Sequence, residues 1–109
     1  MRFLMFVSVD PELAASLATP AGGDPTDWVG QAGARRLAGG PLHQLATAVT
    51  VRPADGGGTF VSDGPFAETK EFIAGYDLVE CADLAEAIEL AAAHPVARFG
   101  AVELRPVWQ

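Results

Sequence analysis

Four ionisable side chains crowd into nine residues, Asp63-Gly64-Pro65-Phe66-Ala67-Glu68-Thr69-Lys70-Glu71. A carboxylate at Asp63, just ahead of a rigid Gly-Pro turn, can act as a general base or orient a neighbouring His or Lys. The competing reading is that it bonds its own turn backbone, as Asp commonly does there. Lys70 is the only lysine in the chain. Beside Glu71 it can receive an anionic group, or it can sit in a solvated ion-pair patch of little energetic weight. Its acidic neighbours hold the ammonium form, which argues against Schiff-base chemistry.

His94 follows an alanine-rich helical segment and precedes Pro95. A helix C-terminus favours the imidazolium, so capping is one explanation and acid-base catalysis with a nearby carboxylate the other. Arg98, in the following loop, can hold a carboxylate or phosphate or pair with an acid of the same chain. His43, ahead of a strand-like segment, is a weaker candidate. Two isolated histidines give no metal-ligand spacing, and no cofactor motif is present. Gly56-Gly57-Gly58 lacks the strand-to-helix setting of a phosphate loop and reads as a turn. Asp77, Glu103 and Arg105 read as a structural charge network across a sheet. Cys81 lacks the electropositive setting of a reactive thiol, and Trp28 and Trp108 read as core or interface aromatics.

The elements that would position these groups follow from periodicity. Arg2 to Val9 is a near-continuous apolar run, predicting a central strand covered on both faces. Asp10-Pro11 offers a helix start for Leu13 to Ala18, and Pro20 to Gly23 breaks it. Asp24-Pro25 opens a second helix to about Leu37, with Trp28, Val29 and Ala32 as its stripe and Gly39-Gly40-Pro41 as its stop. Leu45 to Val51 alternates as a strand, turns at Asp55 to Gly58, and returns over Thr59 to Ser62. Phe72 to Cys81 predicts another strand, with Gly75 as its weak point. Asp83 and Glu86 form a capping-box start for a helix whose apolar stripe is Leu84, Ala87, Ile88 and Ala91. Ala101 to Val107 closes the chain as a strand with Val102 and Leu104 on one face, Glu103 and Arg105 on the other.

This β, α, hairpin, β, α, β order predicts an α+β, ferredoxin-like split βαβ fold with an antiparallel sheet, in one domain over residues 1–109. Helices on one face leave apolar residues on the other, which a second copy would cover in a homodimer. With 14 acids against seven Lys and Arg the net charge is −7, so direct nucleic-acid binding is not expected. The apolar run at the start stops at Ser8, too short for a membrane span. One cysteine fits a reducing cytoplasm.

The nine-residue stretch with Gly75-Tyr76 after it resembles the signature of the DGPF group within the YCII-related proteins. The end of the chain, His94-Pro95 and Phe99-Gly100-Ala101-Val102-Glu103-Leu104-Arg105-Pro106-Val107, is similar to that group's last strand. The resemblance implies a dimeric α+β barrel built sheet to sheet, and a His-Asp pair in an active-site cleft. The early histidine of other YCII proteins has no counterpart here, and Asp77 stands where the family strand more usually has an aromatic or aliphatic residue. Some DGPF members occur beside or fused to alternative sigma factors. Two functions are therefore expected as alternatives. The first is a polar cleft for a small anionic ligand or substrate, with Asp63 and His94 as acid-base groups and Lys70, Glu71 and Arg98 as ligand contacts. The second is a non-catalytic regulatory or protein-interaction module.

Overall fold

The run Arg2–Val9 forms strand β1, at the centre of a four-stranded antiparallel sheet. In the computed structural model, residues 1–16, 25–67 and 69–108 are described. Asp10 starts helix α1 (Pro11–Ser16), its Oδ1 accepting from the backbone N–H groups of Glu12 at 3.0 Å and Leu13 at 3.4 Å. The rest of the expected first helix, its Pro20–Gly23 break and the Asp24 start of the second lie outside the described residues.

Helix α2 (Pro25–Ala32) buries Trp28 and Ala32 but leaves Val29 at the surface. It does not reach Leu37. A single 3₁₀ turn, Gly33–Arg35, ends it, and Arg36–Pro41 becomes strand β2 at the sheet edge. Gly39-Gly40-Pro41, read as a helix stop, are strand residues: a Gly pair is cheap at an edge where close backbone approach is needed. Leu45–Thr47, expected as the start of a strand, is a 3₁₀ turn, and strand β3 is Val49–Pro53. It pairs with strand β4 (Thr59–Asp63) in a separate two-stranded hairpin, joined by the glycine-rich turn.

Strand β5 (Phe72–Glu80), helix α3 (Leu84–Ala92) and strand β6 (Gly100–Pro106) complete the chain. The sheet order β2-β5-β1-β6 is that of the ferredoxin-like fold, with the hairpin inserted between its second and third strands. Asp83 caps α3 by accepting from the Glu86 backbone N–H, and Glu86 Oε1 reaches back to the N–H of Ala82, one residue before the cap, a close variant of the capping box. The buried side of α3 is Ala87, Leu90 and Ala91. Leu84 and Ile88, expected inside, are about half exposed, because the helix turns its Leu90 stripe to the sheet.

Alternation along the strands sorts the sheet into two faces. Phe3, Met5 and Val79 are fully buried and pack with Trp28, Ala32, Cys81, Ala87, Leu90 and Ala91 in one core, flanked by Val102 and Leu104. The opposite face carries Leu4, Phe6 and Ser8 of β1, only partly shielded, and Tyr76 of β5 at the surface. The expectation of a strand covered on both faces thus holds within this chain for one face. The hairpin packs least: Val49, Val51, Phe60 and Val61 are each more than half exposed. The radius of gyration of 16.1 Å exceeds the about 13 Å of a compact chain of this length.

Candidate functional site

The charged side chain driven deepest into this fold is Asp77, in the middle of β5. Strand parity puts it on the inner face with Val79, opposite Met5 of β1 and Gly39 of β2. Arg36 Nε donates to its Oδ1 at 2.7 Å. That side-chain pair is 21% and 8% exposed, so it is a largely desolvated, charge-assisted bond. Gly39 makes the arrangement sterically feasible. Its φ is +152°, and a Cβ there would overlap both Asp77 Oδ1 and the Tyr76 carbonyl oxygen.

His94 faces Asp77 from the other side, Nε2 3.9 Å from Oδ2, with both side chains 8% exposed. The chain places it through a short break between two helical pieces. Helix α3 ends at Ala92, and Pro95 begins a 3₁₀ turn, Pro95–Phe99, for which His94 is the N-cap. His94 Nδ1 accepts from the Val96 backbone N–H at 3.1 Å. In the neutral ring the proton therefore sits on Nε2, aimed at Asp77. The Trp28 ring packs 4.6 Å from the imidazole, tilted by 54°, and is itself fixed by donating from Nε1 to the Leu90 carbonyl at 2.9 Å. Burial pulls the His94 pKa below its ordinary value, with the Asp77 charge opposing. The helix-end position suggested the reverse. The structure puts His94 two residues past that end, where its ring accepts a hydrogen bond and loses water.

His94 and Asp77 line a cavity of about 220 Å³ whose other walls are mainly apolar or backbone, among them Val7, Pro41, Gly75 and Val96. Buried polar groups converging at the wall of a small apolar cavity are the usual composition of a ligand site.

The other sequence candidates lie elsewhere. Asp63 is the exposed last residue of β4, across from Val49 on the hairpin, and does not line the His94 cavity. The adjoining Gly-Pro turn is held by other groups: the Gly64 N–H donates to the Ala48 carbonyl, and Thr50 Oγ1 donates to the Gly64 carbonyl. Lys70 Nζ stands 3.3 Å from Glu12 and 3.5 Å from Asp10. With Glu71, it borders a wide groove of about 740 Å³ that also takes in Phe6, Glu103 and Arg105. Glu68 lies outside the described residues. Arg98 is on the Pro95–Phe99 turn, exposed, with no ion pair to a described residue. His43 is exposed near the end of β2. Arg105 does pair with Glu103, at 3.1 Å, but Asp77 does not join them, because it points to the opposite face of the sheet. Trp28 is core, whereas Trp108 is 98% exposed. Among the described residues no group of three or more potential metal ligands occurs, and no helix is long and apolar enough to cross a membrane.

Sequence reasoning thus named His94 as a candidate but did not bring Asp77 and Arg36 to it. Asp77 carried a signal, since in the run Gly75-Tyr76-Asp77-Leu78-Val79 it shares parity with an obligate core valine. Arg36 carried none, because it was assigned to the wrong element.

The model of the YCII-related domain matches residues 1–109. The chain belongs to the YCII-related domain family. A relative within reach of sequence comparison is an uncharacterised protein of Rhizobium meliloti, 42% identical over 74 residues. That match covers 62% of this chain, and the chain spans 58% of the relative's length. Among solved structures, the chain is similar to the 5-chloro-2-hydroxyhydroquinone dehydrochlorinase of Burkholderia phenoliruptrix, solved in complex with 2,5-dihydroxybenzoquinone. The TM-score is 0.53 at 17% identity, covering 100% of this chain and 94% of that one. At that identity the likeness establishes a shared fold alone.

Proposed function

We propose that this YCII-family chain binds a small, hydroxyl-bearing organic molecule between His94 and Asp77 and promotes proton transfer from it. The observation that carries the reading is the 3.9 Å gap between Nε2 and Oδ2 at the wall of a 220 Å³ cavity. The gap is too long for a direct hydrogen bond. It is the right width for one hydroxyl oxygen set about 2.8 Å from each group. Such a hydroxyl donates to Asp77 Oδ2 and accepts from the His94 Nε2–H. The proton passes to the carboxylate, and the oxyanion left behind stays bonded to Nε2–H. A carboxylate is a weak base, so the hydroxyl must already be acidic, as on a phenol or enol. An apolar cavity of about 150 Å³ holds one benzene ring, so 220 Å³ suits a single substituted ring. The dihydroxybenzoquinone bound to the Burkholderia enzyme is of this chemical type. A neutral ligand fits a site with a carboxylate and an uncharged imidazole better than an anion does, and Lys70 and Arg105 are already paired with acids.

Trp28 gives the test its signal. In a Trp108→Phe background its fluorescence reports on the neighbouring imidazole. Ring phenols and hydroxyquinones are expected to change it saturably, and their O-methyl ethers are not. Equal binding of the ethers, or no binding by any of the hydroxyl compounds, would refute the reading.

A homodimer completes it. A two-stranded hairpin is marginal in water unless it packs on something, yet this one presents Val49, Val51 and Val61 on one side and Phe60 on the other. A second copy, seated on the hairpin and the open sheet face, accounts for both. Sedimentation equilibrium is expected to give a dimer that Val51→Asp/Val61→Asp dissociates; a native monomer at micromolar concentration contradicts it.

A further inference from the structure

We propose that Arg36 is the positioning residue of this site: presented by a bulge in β2, it ties one oxygen of Asp77 so that the other faces His94 across an open gap. The inference rests on the reading of His94 and Asp77 as the ligand-handling pair.

The strand register supplies the geometry. Arg36 stands opposite Val79, but Ala38 stands opposite Leu78, so Leu37 is an extra residue with no partner. Bulges of this kind re-aim side chains and locally increase twist. An unbulged β2 would set Ala38 against Asp77; with the bulge, Gly39 takes that place. Because Gly39 has no Cβ to collide with Oδ1, the carboxylate leans over β2 and meets the Arg36 Nε–H at 2.7 Å. The bulge, the glycine and the arginine therefore act on the same oxygen.

What that achieves is a restraint. With Oδ1 held, Asp77 cannot turn to meet the imidazole, and the 3.9 Å separation is kept. Once Oδ1 is released, the carboxylate can rotate onto Nε2, form an ordinary short pair, and occupy the place a ligand hydroxyl would take. Among the described residues, β5 presents Asp77 to His94, with Arg36 of β2 behind it; α2 presents Trp28 and β1 presents Val7, neither of which titrates.

The experiment is an NMR titration of the His94 imidazole, assigned against His43, in the native protein, Arg36→Gln, Asp77→Asn and the double variant. It uses no ligand, so it can succeed where the hydroxyl-binding test fails, and the reverse. Arg36→Gln is expected to raise the His94 midpoint by about one pH unit, as a carboxylate closing on the ring would. In the Asp77→Asn background the same Arg36 change is expected to give a clearly smaller rise, the direct effect of the lost cation alone. That second comparison matters because removing a cation also raises a neighbouring histidine's midpoint directly, without any movement of Asp77. An unchanged midpoint in Arg36→Gln overturns the proposal, and so does a rise of undiminished size when the same Arg36 change is made in the Asp77→Asn background. Should Arg36→Gln fail to fold, Arg36→Lys keeps the charge but not the fixed Nε–H direction. It is expected to raise the midpoint by a smaller amount, and a native midpoint there overturns the proposal equally.

Discussion

Two regions of this molecule gather ionisable side chains, and they treat them in opposite ways. Around Asp63 to Glu71 the ionisable groups are plentiful and close in sequence, and the described ones, Asp63, Lys70 and Glu71, are exposed. Lys70 there shares its charge between two acids at the start of α1, its cap Asp10 and Glu12, with its own side chain 65% exposed. Around Asp77, among the described residues, three ionisable side chains meet from three separate elements: Arg36, Asp77 and His94. Each is at least about four-fifths buried. Water screens the first cluster and leaves each contact worth little. It is largely absent from the second, where an unmatched charge has nowhere to turn. Density of charge along a sequence marks turns and solvated surface. Isolation of a charge in an apolar run marks a buried, paired group.

The sharpest way to break that contrast is to remove one carboxylate from each region. Asp77→Ala leaves Arg36 without its partner in a mostly dry setting and is expected to cost about 3–5 kcal/mol. Asp63→Ala, on the exposed end of β4, is expected to shift the urea midpoint by no more than measurement error. Equal losses in the two variants would show that the hairpin end is as tightly integrated as the sheet centre.

A second test uses acidity, and the sign follows from His94. Its folded pKa lies below the unfolded value of 6.5. The unfolded chain therefore takes up the proton first as pH falls. The contribution from keeping the imidazole neutral is fully present above pH 6.5 and is lost as pH drops from there through the folded pKa. His94→Asn retains an acceptor for the Val96 N–H but cannot titrate. Denaturation midpoints of the native protein are expected to fall below pH 6.5 more steeply than those of His94→Asn. Parallel curves would mean that burial does not hold His94 neutral.

Much of the fold was legible because its signals are local. The Asp83–Glu86 capping box, the Val102 and Leu104 alternation and the turn at Gly56 each rest on residues a few positions apart. The second strand was not legible, since Arg36–Pro41 contains two glycines and a proline and has no strand propensity of its own. It is a strand because β5 offers it an edge, and because Gly39 must pass close to Asp77. Half of the site failed for the same reason. His94 announces itself by residue type, whereas Arg36 reaches Asp77 from 41 positions away in sequence. The conspicuous Asp63 stretch pointed to the family, because a Gly-Pro turn among fixed polar residues makes a recognisable string. It did not point to the buried pair.

The smallest expected effect is at Lys70, and it tests the exposed half of the contrast. Its ammonium is drawn to Asp10 and Glu12 at 3.5 and 3.3 Å. Asp10 has another task, because its Oδ1 caps α1 while Oδ2 faces the lysine. Lys70→Met keeps most of the aliphatic stem and removes the charge, so it leaves the cap in place. The expected cost is no more than about 0.5 kcal/mol, falling toward zero in molar salt as the remaining attraction is screened. The wide groove beside it would then lose a cation without losing its shape. A loss of 2 kcal/mol or more, persisting in high salt, would mean that the only lysine is held as firmly as Arg36, and the division between solvated and buried charge would fail at its simplest point.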